Sequence, residues 1–176
     1  MRAIGALRER YYLRVGDDPL AVSEAATVGL MLSAAGEAGL IGMLEYPTEK
    51  RIGGQRRWCY GRCDLWLLAP RHADDYGWAI EVKHRRITPR STRRLLVEPF
   101  KAAWKDAGRL DVTEASMRLA CIVYYSHREI VSGSPVDVIL GRVARACDWA
   151  WRISHSRHLH PAYVFLKRRL RGVRDI

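Results

Sequence analysis

The sequence predicts an α/β fold, a mixed central sheet flanked by helices and followed by a helical C-terminal extension. Three observations carry this. An Ala- and Leu-rich helical segment near the start is followed by three extended runs with turn signals between them. A second helical stripe then leads into a fourth, almost continuous apolar run. Such runs are too continuous for a sheet with one face in water, which puts helices on both faces. At 176 residues the chain suits one domain with a short appendage. The expected division is an α/β core over residues 1–130 and a basic helical extension over 131–176, packed on the core or at a dimer interface.

Each element has its own local justification. Asp17 and Asp18 precede Pro19, a residue suited to a first helical turn, so a helix is predicted over residues 19–38, stopped by Gly39. Extended runs at 43–52 and 57–68 are joined through Gly53-Gly54, a hairpin signal, and Pro70 ends the second. A third strand, 77–84, follows a polar loop with Asp74 and Asp75. Beyond the basic segment 88–94, a helix is predicted from Glu98-Pro99 to Gly108, with Phe100, Ala103, Trp104 and Ala107 on one stripe. Residues 117–126 form the fourth strand. Ser134-Pro135 opens a helix in which Val136, Leu140, Val143, Cys147 and Trp151 recur at helical spacing. The basic run 163–174 is expected to be a last short helix.

Charge narrows the partners. The chain carries 30 Lys and Arg against 19 Asp and Glu, a formal charge of +11, and 25 of the cations are Arg. Guanidinium forms bidentate hydrogen bonds to phosphate, so a polyanion such as nucleic acid is the natural partner; the plain alternative is a surface on which Arg replaces Lys. The longest uncharged run, residues 25–36, falls short of the roughly 20 residues a spanning helix needs, so no membrane role is expected. The start of the chain lacks the apolar stretch of a signal peptide, and a cytoplasmic location is the expectation. Cys59, Cys63, Cys121 and Cys147 fit neither zinc-knuckle spacing nor a disulfide framework.

The chemistry lies on the second and third strands. Glu81 and Lys83 in Glu81-Val82-Lys83 share one strand face, and Asp64 on the neighbouring strand can join them. Two carboxylates converging beside apolar strands repel each other and resist desolvation. A divalent cation resolves that conflict, and oxygen-only ligands suit Mg²⁺ or Mn²⁺ rather than zinc. The tripeptide alone is weak, because chance supplies about half an acid-x-Lys match in a chain of this composition. Its plain alternative is a surface ion pair on an edge strand.

These residues in this element order resemble the PD-(D/E)XK nuclease superfamily, the restriction-endonuclease-like fold, over roughly residues 19–126. The resemblance implies a helix, three strands, a helix and a further strand, with Asp64 on the second strand and Glu81-Val82-Lys83 on the third. It also implies an acid on the first helix, for which Glu24 is the best match and Glu37 the fallback. Cys63 stands where members of the family carry Pro. The Gln-x-x-x-Tyr of one exonuclease branch is missing, since Gln55 is the only Gln, and an endonuclease is favoured.

The resemblance implies a Mg²⁺- or Mn²⁺-dependent nuclease acting on phosphodiester bonds, most naturally in DNA. Asp64, Glu81 and Glu24 would hold metal, and Lys83 would orient or deprotonate the attacking water and stabilise developing charge. The expected backbone contacts are Arg57 (with Arg56 beside it) and Arg62 near the hairpin, Arg85, Arg86, Arg90, Arg93 and Arg94 after the third strand, and Lys101 and Lys105 on the following helix. Two other functions compete with this one. The first is a catalytically silent nucleic-acid-binding or assembly subunit of the same fold. The second is an interaction module whose helical extension makes a homodimer.

Overall fold

In a computed structural model, residues 1–51, 58–70, 76–111, 113, 115–153 and 158–169 are described. The predicted Gly53-Gly54 hairpin, Arg56 and Arg57, the Asp74–Asp75 loop and the chain beyond 169 lie outside the described residues.

The elements run α1 (Arg2–Val15), α2 (Pro19–Val22), α3 (Glu24–Glu37), β1 (Ile41–Arg51), β2 (Trp58–Ala69), β3 (Tyr76–Ile87), α4 (Arg93–Arg109), β4 (Met117–Ser126), α5 (Pro135–Arg145), β5 (Trp149–Ile153) and β6 (Ala162–Arg169). The strands form one mixed sheet in the order β1-β2-β3-β4-β6-β5. β3 and β4 are its parallel pair, connected through α4, and the other neighbours are antiparallel. From α3 to β4 this is the predicted order of elements.

Burial follows from the near-continuous apolar strands. On β4, Leu119, Cys121, Val123 and Tyr125 pack toward α1, α2 and α3. The alternate residues Ile122 and Tyr124 pack with Leu96 of α4 and Val136, Leu140 and Val143 of α5. Ala120 meets Ala103 and Ala107 of α4, where small side chains let helix and sheet approach closely. Both faces of the sheet are thus covered, as the pattern requires. Among the described residues no helix is long and apolar enough to cross a membrane.

Three expectations need correction, and one element was not predicted. The helix predicted over 19–38 is two helices, because Ser23 takes an extended conformation and its Oγ accepts the Ala26 amide hydrogen at 3.0 Å, capping α3. The helix predicted from Glu98 begins at Arg93, capped by Thr92, and runs through Pro99. Buried Tyr124 donates its hydroxyl hydrogen to the Leu96 carbonyl, three residues before that proline, pinning the helix to β4.

The C-terminal extension is not helical throughout. α5 ends at Arg145, so Cys147 and Trp151 fall beyond it, and Trp149–Ile153 and Ala162–Arg169 are strands of the central sheet. The aromatic and β-branched run Tyr163-Val164-Phe165 favours a strand, and its basic neighbours disguised it. The apolar stripe of α5 is buried against the chain's own β4 and β6, so it offers no face to a twofold partner. The unpredicted element is α1, which the reading of the sequence passed over. It is fastened by Arg8, whose buried guanidinium donates to both carboxylate oxygens of Asp18 at 2.9 and 2.6 Å, while Asp18 also caps α2.

Because β6 lies between β4 and β5 and buries Ala162, Tyr163, Val164 and Phe165, it belongs to the sheet interior. Deleting residues 162–176 is expected to abolish the cooperative unfolding transition followed by circular dichroism in urea. A retained sharp transition would show the core folding without its fifth neighbour.

Candidate functional site

The site arises where two strands part. β2 and β3 are paired from Ala69↔Tyr76 up to Leu65↔Ile80, and no pair is formed beyond that rung among the described residues. The rest of β2 pairs with β1 alone, and the rest of β3 with β4 alone. Asp64 and Glu81 are the first residues past the fork. The distortion reaches β1 as well. Glu45, the residue facing Asp64 across the β1–β2 register, has φ 51, in the left-handed region that side chains disfavour.

A fork leaves backbone amides of β3 without strand partners, and carboxylates take their place. The Val82 amide donates to Asp64 Oδ2 at 2.7 Å, and the His84 amide donates to Glu24 Oε2 at 3.1 Å. Glu24 is delivered there as the first residue of α3. His84 fixes that corner further: its Nε2–H donates to the Leu20 carbonyl of α2 at 2.5 Å, and its ring stacks on Tyr125. Lys83 Nζ stands 3.7 Å from Glu24 Oε1.

Glu81 is in a different position. It is 2% exposed, and Lys50 Nζ of β1 stands 2.7 Å from its Oε1. This is a charge contact without the alignment of a directed hydrogen bond, so Oε1 is buried with a Coulombic partner and unsatisfied hydrogen-bonding capacity. Burial pushes the Glu81 carboxyl up to about 7, the charge of Asp64 pushes the same way, and Lys50 pulls against both. Lys50 reaches Glu81 because Gly61 leaves room: a Cβ at Gly61 would sit 2.8 Å from Cδ of the lysine stem. The chain after α4 holds the same stretch of β1, through a Lys50↔Leu110 bridge and an Asp111 amide donating to the Glu49 carbonyl at 3.0 Å.

Asp64, Glu81, Lys83 and Glu24 therefore gather around the fork. Glu37, the fallback for Glu24, lies at the other end of α3 and pairs with Arg10 at 3.4 Å. Cys63 is fully buried with Ala79 and Leu110, and burial pushes its thiol up to about 12; it packs and does not react. Among the described residues no three His, Cys, Asp or Glu side chains come together as a ligand cluster.

The predicted phosphate contacts are dispersed. Arg85 and Arg86 are exposed on the far half of β3, Arg90 in the following turn, and Arg93 and Arg94 on the first turn of α4. Arg62 pairs with Glu45 at 2.7 Å and Lys101 with Glu98 at 3.2 Å, both on the surface, and Lys105 is exposed. Lys50 was missed by sequence reasoning. The usable signal was that Lys50 is the only lysine on β1, one of the two strands that pair with the Asp64 strand.

No family model, no curated protein and no solved structure matches this chain. The site is therefore argued from its own geometry.

The Glu81 carboxyl sets a pH dependence. Between the unfolded carboxyl range and about 7, the folded protein holds a proton that the unfolded chain has released, so stability falls as pH rises through that window. The loss is on the order of 3 kcal/mol. Urea denaturation in EDTA from about pH 4.5 to 7.5 is expected to show this decline in the wild type and a flatter profile in Glu81→Gln. Parallel profiles would remove Glu81 as its source.

Proposed function

We propose that this protein is a metal-dependent nuclease of restriction-endonuclease-like fold, hydrolysing phosphodiester bonds, most naturally in DNA and by internal cutting. The observation that carries this reading is the fork, past which Asp64 and Glu81 are the first residues of β2 and β3, with Lys83 and Glu24 paired to each other beside it. The helix, three strands, helix and strand from α3 to β4 are the order that the resemblance implies.

The residues present fit Mg²⁺ or Mn²⁺ by the chemistry of their donors. Mg²⁺ is commonly held by one or two carboxylates, with water and substrate phosphate completing the shell. Asp64 and Glu81 would be those two, and Glu24 would hold a second ion. Oε1 of Glu81 is buried and faces the Lys50 ammonium, a cation that a metal ion would replace. When bound, the ion supplies Lewis acidity and a nucleophile at neutral pH.

The chain's own residues supply the rest. Lys83, paired with Glu24 beside the fork, would orient the attacking water and offset the charge that develops on the phosphate. Lys50 neutralises Glu81 in the absence of metal and is free to turn to phosphate once that carboxylate is engaged. Arg93 and Arg94 sit at the positive end of the α4 dipole, an unfavourable place for cations, with no acid in that turn. Polyanion binding there would relieve the repulsion.

One observation favours a second reading. Asp64 and Glu24 already accept backbone amides, a purely structural use that a silent nucleic-acid-binding subunit of the same fold would keep. Metal binding separates the two.

Titration calorimetry with Mn²⁺ is expected to show binding that Asp64→Ala and Glu81→Ala abolish. Supercoiled DNA is expected to be cut with Mg²⁺ or Mn²⁺, to survive in EDTA, and to be cut at least about a hundredfold more slowly by Lys83→Met. Both alanine variants should still bind DNA, since the phosphate contacts come from elsewhere. Equal cutting by wild type and variants, or no Mn²⁺ binding, would leave the silent subunit as the reading.

A further inference from the structure

β3 and β4 run parallel and end together at the Ile87↔Ser126 pair, and a cavity of about 300 Å³ opens beyond their carboxyl ends. Ligand sites in α/β sheets favour this end of parallel strands. Its walls are strongly cationic. Arg86 comes from β3, Arg90 from the turn after it, and Arg128 with His127 from the turn after β4. Among the described residues, no carboxylate lies within ion-pair distance of Arg86, Arg90 or Arg128.

Both turns are locked by their own hydroxyls. The Thr88 amide donates to Ser91 Oγ at 2.9 Å, and the Arg90 amide donates to Thr88 Oγ1 at 3.3 Å. Across the cavity, Ser126 Oγ accepts the Arg128 amide hydrogen at 3.1 Å and donates its own to the Arg128 carbonyl at 2.6 Å. The backbone that carries the guanidinium groups is therefore set before any ligand arrives, which reduces the ordering cost of binding.

We propose that this cavity binds a phosphomonoester. A backbone phosphodiester carries one negative charge, whereas a phosphomonoester carries about −1.5 to −2 near neutrality and has three strong acceptor oxygens. Three guanidinium groups match the second better than the first. The shape argues the same way, since a concave pocket receives a terminal group and a continuous strand needs an open groove. Two sources offer this chemistry: a small phosphate compound and the phosphorylated end of a nucleic-acid strand. The second rests on the nuclease reading. Arg86 lies three residues beyond Lys83, about 10 Å along β3 and on its other face, so a strand end would reach the cavity by rounding the carboxyl end of β3.

The test uses the full chain in EDTA, where nothing is cut. Inorganic phosphate is titrated by calorimetry into wild type and into Arg90→Gln/Arg128→Gln, two exposed positions whose folding is checked by thermal melt. Saturable binding that the double variant weakens at least tenfold supports the site. Absent binding, or binding the variant leaves unchanged, overturns it.

Oligonucleotides of one sequence ending in 5′-phosphate, 3′-phosphate or hydroxyl then separate the sources. A tenfold preference for one phosphorylated end, lost in the double variant, assigns a strand end. Equal affinities beside intact phosphate binding assign a small phosphate compound. Asp64→Ala is expected to leave the phosphate titration unchanged, so failure of the nuclease reading and failure of this site remain distinguishable.

Discussion

The parting of β2 and β3 after the Leu65–Ile80 rung is the constraint on which the rest of the site depends. Backbone amides inside a protein must find acceptors, and at the fork the neighbouring strand no longer provides them. Asp64 and Glu24 provide them instead, which draws an acid from β2 and an acid from α3 to the same stretch of β3. Concentrating carboxylates in this way creates the electrostatic difficulty seen at Glu81, and Lys50 answers it from β1. One hydrogen-bond requirement thus accounts for the positions of Asp64 and Glu24.

Rigidity around the fork comes from layers on both faces of the sheet. On one side the α2–α3 corner is held by the contact of His84 with Leu20, and α1 is locked to that corner by the buried pair of Arg8 and Asp18. Removing one partner of such a pair leaves an uncompensated buried charge, which typically costs about 3–5 kcal/mol. On the other side, α4 lies close on Ala120 through Ala103 and Ala107. The chain leaving α4 is tied to β1 through the Asp111 amide and the Glu49 carbonyl, and to β4 through Arg118, which donates to the Leu110 carbonyl at 2.9 Å.

Much of this was legible in the sequence from α3 to β4, because β4 is apolar on both faces and turn residues separate the strands. Asp64, Glu81 and Lys83 were singled out by strand periodicity, which holds at the fork because a strand keeps its alternation when its partner leaves. Glu24 was found by resemblance, but its delivery was not, since the capping role of Ser23 is what makes it a first-turn residue. Lys50 was invisible because its role depends on register across β1 and β2 and on the absent side chain of Gly61. The C-terminal strands were misread for a related reason. Val136, Leu140 and Val143 do lie on a helix, and Cys147 and Trp151 continue its spacing by coincidence after the chain has turned.

The strand order also has a consequence for synthesis. β4, buried along nearly its whole length, pairs on one side with β3, which precedes it, and on the other with β6, which comes after another thirty-five residues. At a ribosomal rate of about 5–20 residues per second, that leaves the apolar edge of β4 uncovered for about 2–7 s in each nascent chain. An open hydrophobic edge is a template for pairing with other chains. Yield in cells would then depend on how quickly translation crosses residues 127–161, and on chaperones that shield one strand edge during that interval.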